Sequence, residues 1–243
     1  MSKVVTIVGG HGKVSLRLAH LLKAKAKVTS IIRTEEHASD ITAASATPLV
    51  LSLENDSVEK FTNAFEGSDV VVFSAGAGGQ GSADRTKAVD YEGALKVYDA
   101  IEAVKGEKPR LLLVSAVDVR NPDIIPDYYN DEDKKISEWS QTHLATYYKW
   151  KYQADKNLIE RTAFKWTILR PSGLTNAEGT GKASIGRPHL VPTISRNDVA
   201  QTLALLVDRP DAAGLALDIV SGDTPLEEAL DEAITKRATA WVG

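Results

Sequence analysis

The run Val5–Ser15, VTIVGGHGKVS, constrains this chain more than any other stretch. Apolar, mostly β-branched residues lead to glycines at 9, 10 and 12. A helical pattern follows at once, with Val14, Leu18, Leu21 and Leu22 at i, i+4, i+7 and i+8. A strand that passes through glycines straight into a helix aims free backbone N–H groups and the positive end of the helix dipole away from the sheet edge. That arrangement suits a pyrophosphate. Glycine is needed where a Cβ would block close approach or a positive φ. The spacing reads as Gly10-x-Gly12-x-x-Ser15 or as Gly9-x-x-Gly12-x-x-Ser15, and in both a serine, small enough for helix–strand packing, replaces the third glycine. A tight turn without a ligand is the competing reading. The position at the first strand and first helix, ahead of a further strand, favours the dinucleotide.

The remainder of the chain supports the same architecture. Short apolar runs stand at Val28–Ile32, Val70–Phe73, Leu111–Val114 and Thr167–Leu169, with a weaker one near Leu49–Leu51. Helical spacings separate them, as at Ala88, Tyr91, Leu95, Tyr98 and Ile101. Strands apolar on both faces, alternating with helices, predict an α/β fold: a doubly wound, Rossmann-type parallel sheet. No linker divides residues 1–243, which are expected to form one domain. Two stretches read as irregular: Val119–Gln141, acidic with two prolines, and Gly173–Arg196, rich in glycine with two prolines. A helix at Asp198–Val207, a strand at Leu215–Val220 and a helix at Pro225–Lys236 are expected to follow.

Composition removes several functions. The 243 residues carry a net charge of −4 and no long basic run, which argues against a nucleic-acid partner. Without cysteine there can be no disulfide, thiolate metal site or cysteine nucleophile. No apolar run approaches the ~20 residues that span a bilayer, so a soluble, cytoplasmic protein is expected. His11, His20, His37, His143 and His189 have no metal-ligand spacing, and His20 and His37 are expected on exposed helices; no metal is predicted. Neither a phosphate-binding G-x-x-x-x-G-K-[ST] nor a G-x-S-x-G elbow occurs.

The second strand ends in Arg33-Thr34, about 20 residues beyond the glycines, where a cofactor lacking a 2′-phosphate would need a carboxylate for its ribose. A guanidinium instead suits the 2′-phosphate of NADP(H). The alternative is a surface arginine paired with Glu35 or Glu36.

VGGHGKVS (8–15), IIRT (31–34), VVFSAGAGG (71–79), AVDYEGALK (88–96), LLLVSA (111–116), YYKWKYQAD (147–155), WTILRPSGL (166–174) and SRNDVA (195–200) together resemble atypical short-chain dehydrogenase/reductases of the NmrA-like, NAD(P)-binding family. The resemblance covers nearly the whole chain. It implies cofactor binding by Gly9, Gly10, His11, Gly12, Lys13 and Val14, by Arg33, and by the Ser74–Gly79 loop, including Ser74, Ala75 and Gly76. It also implies a small C-terminal substrate lobe entered through Arg170-Pro171. In SRNDVA, Asn197 or Asp198 is expected to cap the helix.

The superfamily's catalytic signature is Tyr-x-x-x-Lys, whose members share one helix face. The lysine lowers the tyrosine pKa so that the phenol can exchange a proton near neutral pH, and commonly holds the nicotinamide ribose. Two such pairs occur, Tyr147…Lys151 and Tyr152…Lys156. The family layout favours Tyr147 and Lys151 as catalytic, with Lys151 also touching cofactor. The catalytic hydroxyl is assigned to Ser115, although active relatives place it slightly farther along, where this chain has Ala116 and Val117. Two functions follow. One is an NADPH-dependent reductase of a small carbonyl or related substrate, monomeric or homodimeric, its pocket walled by residues 119–141 and 173–196. The other is a non-catalytic NAD(P)-binding redox sensor.

Overall fold

The computed structural model describes residues 2–77 and 83–243. Gly78 and Gly79 of the expected cofactor loop lie outside that range. The described strands are β1 Lys3–Val8, β2 Ala26–Ile32, β3 Thr47–Val50, β4 Val70–Phe73 and β5 Arg110–Val114, followed by β6 Trp166–Pro171, β7 Leu174–Thr175, β8 Lys182–Gly186, β9 Ile194–Ser195 and β10 Ala216–Pro225. The helices are α1 Lys13–Leu22, α2 Ala38–Ala43, α3 Val58–Phe65, α4 Ala83–Thr86 and α5 Gly93–Ala103, then α6 Asp131–His143, α7 Ala145–Ile159, α8 Arg196–Val207 and α9 Leu226–Thr235.

Eight strands form one sheet in the order β3-β2-β1-β4-β5-β6-β10-β8, parallel except where β8 runs against β10. The predicted doubly wound fold is present. The order reverses between β1 and β4, so their carboxyl ends open a crevice, the usual ligand site of such sheets.

Strand side chains alternate between faces, which explains the apolar runs. Val70 and Val72 join Leu18 and Leu22 of α1 and Leu203 and Leu206 of α8 in one core layer. Val71 and Phe73 face the other way and pack with Phe61 and Phe65 of α3, Tyr98 of α5 and Leu158 of α7. Burying each large side chain contributes about 1.5–3 kcal/mol. Leu21 departs from the predicted inner face of α1: it is 40% exposed and borders a groove with Leu16 and Gln201.

Three local expectations change. Within Val119–Gln141 the structure forms α6, capped by Asn130, whose side chain accepts from the Asp133 backbone N–H while the Asp133 carboxylate accepts from that of Asn130. This helix is mostly polar, so its apolar spacing was too sparse to reveal it; the cap and the buried Asp133, which also accepts from Leu190 N, hold it. Gly173–Arg196 carries β7, β8 and β9 rather than being irregular; β8 extends the main sheet, and β7 and β9 pair separately. Short strands among glycines give little periodic signal. The cap of α8 is Ser195, not Asn197 or Asp198, because the helix starts earlier. Asp198 instead accepts from Thr180 N and Gly181 N. Among the described residues, no helix is long and apolar enough to cross a membrane.

A Cβ at Gly10 would lie 2.6 Å from the Ser30 Cβ on β2. Gly10→Ala should therefore lower stability by about 1–3 kcal/mol, read as an earlier midpoint in urea. An unchanged midpoint would show that β1 and β2 can separate there without cost.

Candidate active site

Two cavities open along the carboxyl edge of the sheet. The first, about 450 Å³, lies over the crevice between β1 and β4 and is lined by Gly9, Gly10, His11, Gly12, Arg33 and Ser74–Ala77, among others. Its glycines do different work. Gly9 has φ +81°, and a Cβ there would come within 2.7 Å of the Ala75 backbone. Gly10 donates its N–H to Ile31 O at 2.8 Å. These two hold the loop after β1 against β2 and against the loop after β4. Gly12 precedes the first turn of α1 with extended backbone and supplies no side-chain cap, so the first N–H groups of α1 have no side-chain acceptor there. Ser15, in the third glycine position, is fully buried.

Arg33 is exposed on the cavity wall just beyond β2. His11 stacks on His37 with ring centroids 3.7 Å apart, and its Nε2 lies 2.8 Å from Asp40 Oδ2. His37 is thus half-buried against a neighbour at the cavity wall rather than on an exposed helix; His20 is exposed on α1, as expected. Lys13 and Val14 are not among the lining residues, and the Val14 side chain belongs to the core.

The second cavity, about 430 Å³, is bounded by Ser115, Leu144, Tyr147, Tyr148, Leu174 and Arg196, among others. Of the two stretches expected to wall a substrate pocket, 173–196 contributes Gly173, Leu174 and Arg196, whereas 119–141 contributes none. The latter is tied down elsewhere: Arg120 Nε reaches Asp118 Oδ1 at 2.8 Å, and its Nη1 donates to Ile124 O.

Tyr147, Lys151 and Asp155 recur every four residues and form one stripe along α7. Lys151 Nζ lies 3.1 Å from Asp90 Oδ1, 3.4 Å from Val114 O and 5.9 Å from the Tyr147 ring centre. The other Asp90 oxygen accepts from Ala77 N at 2.8 Å. Ser115 donates to Asp155 Oδ2 at 2.9 Å. The Asp90 carboxylate therefore joins a wall of the first cavity to Lys151, which lines neither cavity, one turn along α7 from Tyr147, which lines the second. Tyr152, the rival in sequence, stacks on Trp241 and borders neither cavity.

A family model described as NAD(P)H-binding matches residues 9–210. The UPF0659 protein C216.03 of Schizosaccharomyces pombe is 36% identical, the match covering 98% of both chains. A Bacillus subtilis protein named as the uncharacterized sugar epimerase YhfK is 34% identical over 93% of this chain and 98% of its own. A solved Bacillus halodurans protein, provisionally named an NAD-dependent epimerase/dehydratase, superposes with a TM-score of 0.79 at 31% identity, covering 95% of this chain and all of that one. The chain belongs to this NAD(P)H-binding family.

Much charge is buried in and around the α7 stripe. The expected lowering of the Tyr147 pKa by Lys151 is not the net effect: burial outweighs Lys151, and the phenol lies above its ordinary value. For Lys151, burial opposes the charge, but Asp90 foremost, then Tyr147 and Asp155, raise its pKa. Lys151 is thus a fixed cation. Burial likewise pushes Asp155 up to about 6 against Arg170, Ser115 and Lys151, and Asp218 up to about 7 against Arg170. Asp218 and Arg170 lie 2.9 Å apart on neighbouring strands.

Sequence reasoning assigned no role to Asp90 or to Asp155. The i+4 continuation of Tyr147…Lys151 would have found Asp155. Asp90 had no such signal, because its partner lies 61 residues away. Asp90 also sits on a π-helical turn, Lys87–Glu92, a geometry that often marks functional positions.

Raised carboxyl pKa values fix a sign. Between the ordinary carboxylate value of 3.8 and about 7, the folded protein holds protons that the unfolded chain has released. Their contribution to stability is lost as pH rises through that window. The urea midpoint should therefore fall between pH 5 and pH 7.5, and Asp155→Asn should make the fall shallower. A midpoint that rises over this range, or an identical slope in the variant, would contradict the assignment.

Proposed function

We propose that this protein is an NADP(H)-dependent oxidoreductase that reduces a small carbonyl or related electrophile. The supporting observation is one juxtaposition: Tyr147 borders the 430 Å³ cavity, while Lys151, one turn along α7 and buried behind it, is linked through Asp90 to the Ala77 backbone of the glycine-lined cavity. The residues present fit a dinucleotide. The start of α1, preceded by Gly12 with no side-chain cap, and the small residues Ser74–Gly76 suit a pyrophosphate and ribose; Arg33 suits a 2′-phosphate. When bound, the dinucleotide supplies the hydride. Tyr147 donates the proton to the carbonyl oxygen, and Lys151 keeps a positive charge beside the phenol, stabilising the phenolate left behind. Lys151 also serves the nicotinamide ribose.

A second reading keeps the dinucleotide and drops turnover. Ser115 commits its hydrogen to Asp155, and Lys151 is already paired with Asp90. Both features would suit a protein that reports cofactor state to a partner.

NADPH consumption followed at 340 nm over a broad panel of aldehydes and ketones separates the two. Under the first reading turnover is found, and Tyr147→Phe lowers it about a hundredfold or more while cofactor affinity stays the same. Absence of turnover across the panel would favour the sensor.

Cofactor choice has its own test. Arg33 is exposed, so its charge-assisted hydrogen bonds are screened, and about 1–2 kcal/mol, or roughly five- to thirtyfold, is expected. At one ionic strength NADPH should bind more tightly than NADH, and Arg33→Ala should weaken NADPH by that factor with little effect on NADH. Glu54, an acidic residue on the same wall, stays in place in both measurements. Equal affinities in the unaltered protein would remove the NADP(H) assignment.

A further inference from the structure

The cavity beside Tyr147 carries information about what it takes. Its walls are largely apolar: Leu144 and Leu174 stand on its rim, 38% and 36% exposed, and Val117 and Pro171 lie farther in. Hydroxyl groups come from Ser115, Tyr147, Tyr148 and Ser172. Among the described residues of this wall, Arg196 is the sole charged side chain. No carboxylate of the described residues forms an ion pair with it.

The Arg196 guanidinium is nevertheless held in place. Its Nη1 donates to Leu174 O and to Asn176 Oδ1, each at 3.1 Å, which anchors one nitrogen across the gap between α8 and β7. Nε and Nη2 have no partner among the described residues. A half-buried guanidinium anchored at one nitrogen and open at the others, beside apolar walls, is built to receive an anion through two parallel N–H···O bonds. Arg33 cannot share this role, because it lines the other cavity.

Resting on the reading that this cavity holds the reacting substrate, we propose that the substrate is an amphiphilic organic carboxylate. Its apolar or aromatic body lies between Leu144 and Leu174, its carboxylate pairs with Arg196, and its reducible carbonyl meets Tyr147. Arg196 is then a specificity-determining residue. It takes no part in the proton transfer.

Binding and turnover are measured separately. Benzoate, trans-cinnamate and 2-naphthoate are titrated calorimetrically into the full-length protein saturated with NADP⁺, each beside its neutral amide, with phenyl phosphate as a further arm. At least one acid should bind about tenfold or more tightly than its amide, and Arg196→Ala should erase that preference while leaving NADPH affinity unchanged. Arg196→Lys, which keeps the charge, should retain part of it. In turnover, 4-carboxybenzaldehyde should have a lower KM than benzaldehyde, and the difference should vanish in Arg196→Ala. Equal affinity for all three acid–amide pairs overturns the proposal, as does a preference that survives Arg196→Ala. Phenyl phosphate binding more tightly than every carboxylate would overturn the choice of carboxylate. An Arg196-dependent acid preference without reduction of any carbonyl would sustain the anion site and remove the oxidoreductase reading. Reduction without acid preference would do the reverse.

Discussion

The site depends on how closely two backbones approach where the strand order reverses. Gly9 leaves β1 with a positive φ and lies against Ala75 at the end of β4, with no room between them for a Cβ. Gly10 sits equally tightly on Ser30 of β2. Because these contacts join three neighbouring strand ends, the crevice above them has a rigid floor, and the first N–H groups of α1 open over it. Glycine here serves packing first. Gly12, which bounds the cavity together with Gly9 and Gly10, leaves the first N–H groups of α1 without a side-chain acceptor at its head.

A second constraint is electrostatic. Asp90, Lys151, Asp155, Arg170 and Asp218 are all nearly or fully buried, and isolated charges at such positions would each cost several kcal/mol. They persist because each has a partner: Asp90 with Lys151, Asp155 with Ser115, Asp218 with Arg170. The pairs cross between elements, from the π-turn to α7, from the residue after β5 to α7, and from β6 to β10. They therefore fix α7 and the strand ends relative to one another as well as lowering one another's cost. The remaining imbalance appears as protons held by Asp155 and Asp218 above the normal carboxylate range.

The two cavities differ in character, in keeping with different ligands. One is framed by glycines, small residues, a stacked histidine pair and an exposed arginine. The other is largely apolar, with several hydroxyl-bearing residues and, among the described residues, a single cation. Asp90 accepts from the Ala77 backbone at the first cavity and pairs with Lys151, one turn along α7 from Tyr147 at the second.

Much of this was legible in the chain itself, for physical reasons. Strands covered on both faces must be apolar throughout, so the runs at Val4–Val8, Val70–Phe73 and Leu111–Val114 announced a parallel sheet. A glycine turn between strand and helix has few other uses, and the four-residue spacing of Tyr147 and Lys151 guarantees a shared helix face. What those local rules could not supply were relations between distant segments. The helix α6 is mostly polar, and it exists through its Asn130–Asp133 cap and the burial of Asp133, neither of which leaves an apolar period. The pairing of Asp90 with Lys151, the stacking of His11 on His37 and the place of Arg196 on an apolar wall depend on crossovers that bring residues far apart in sequence to one sheet edge. Periodicity determined the sheet and its glycine loop. Tertiary packing decided which charges were buried together, because a carboxylate's cost and its partner are set by where the chain returns.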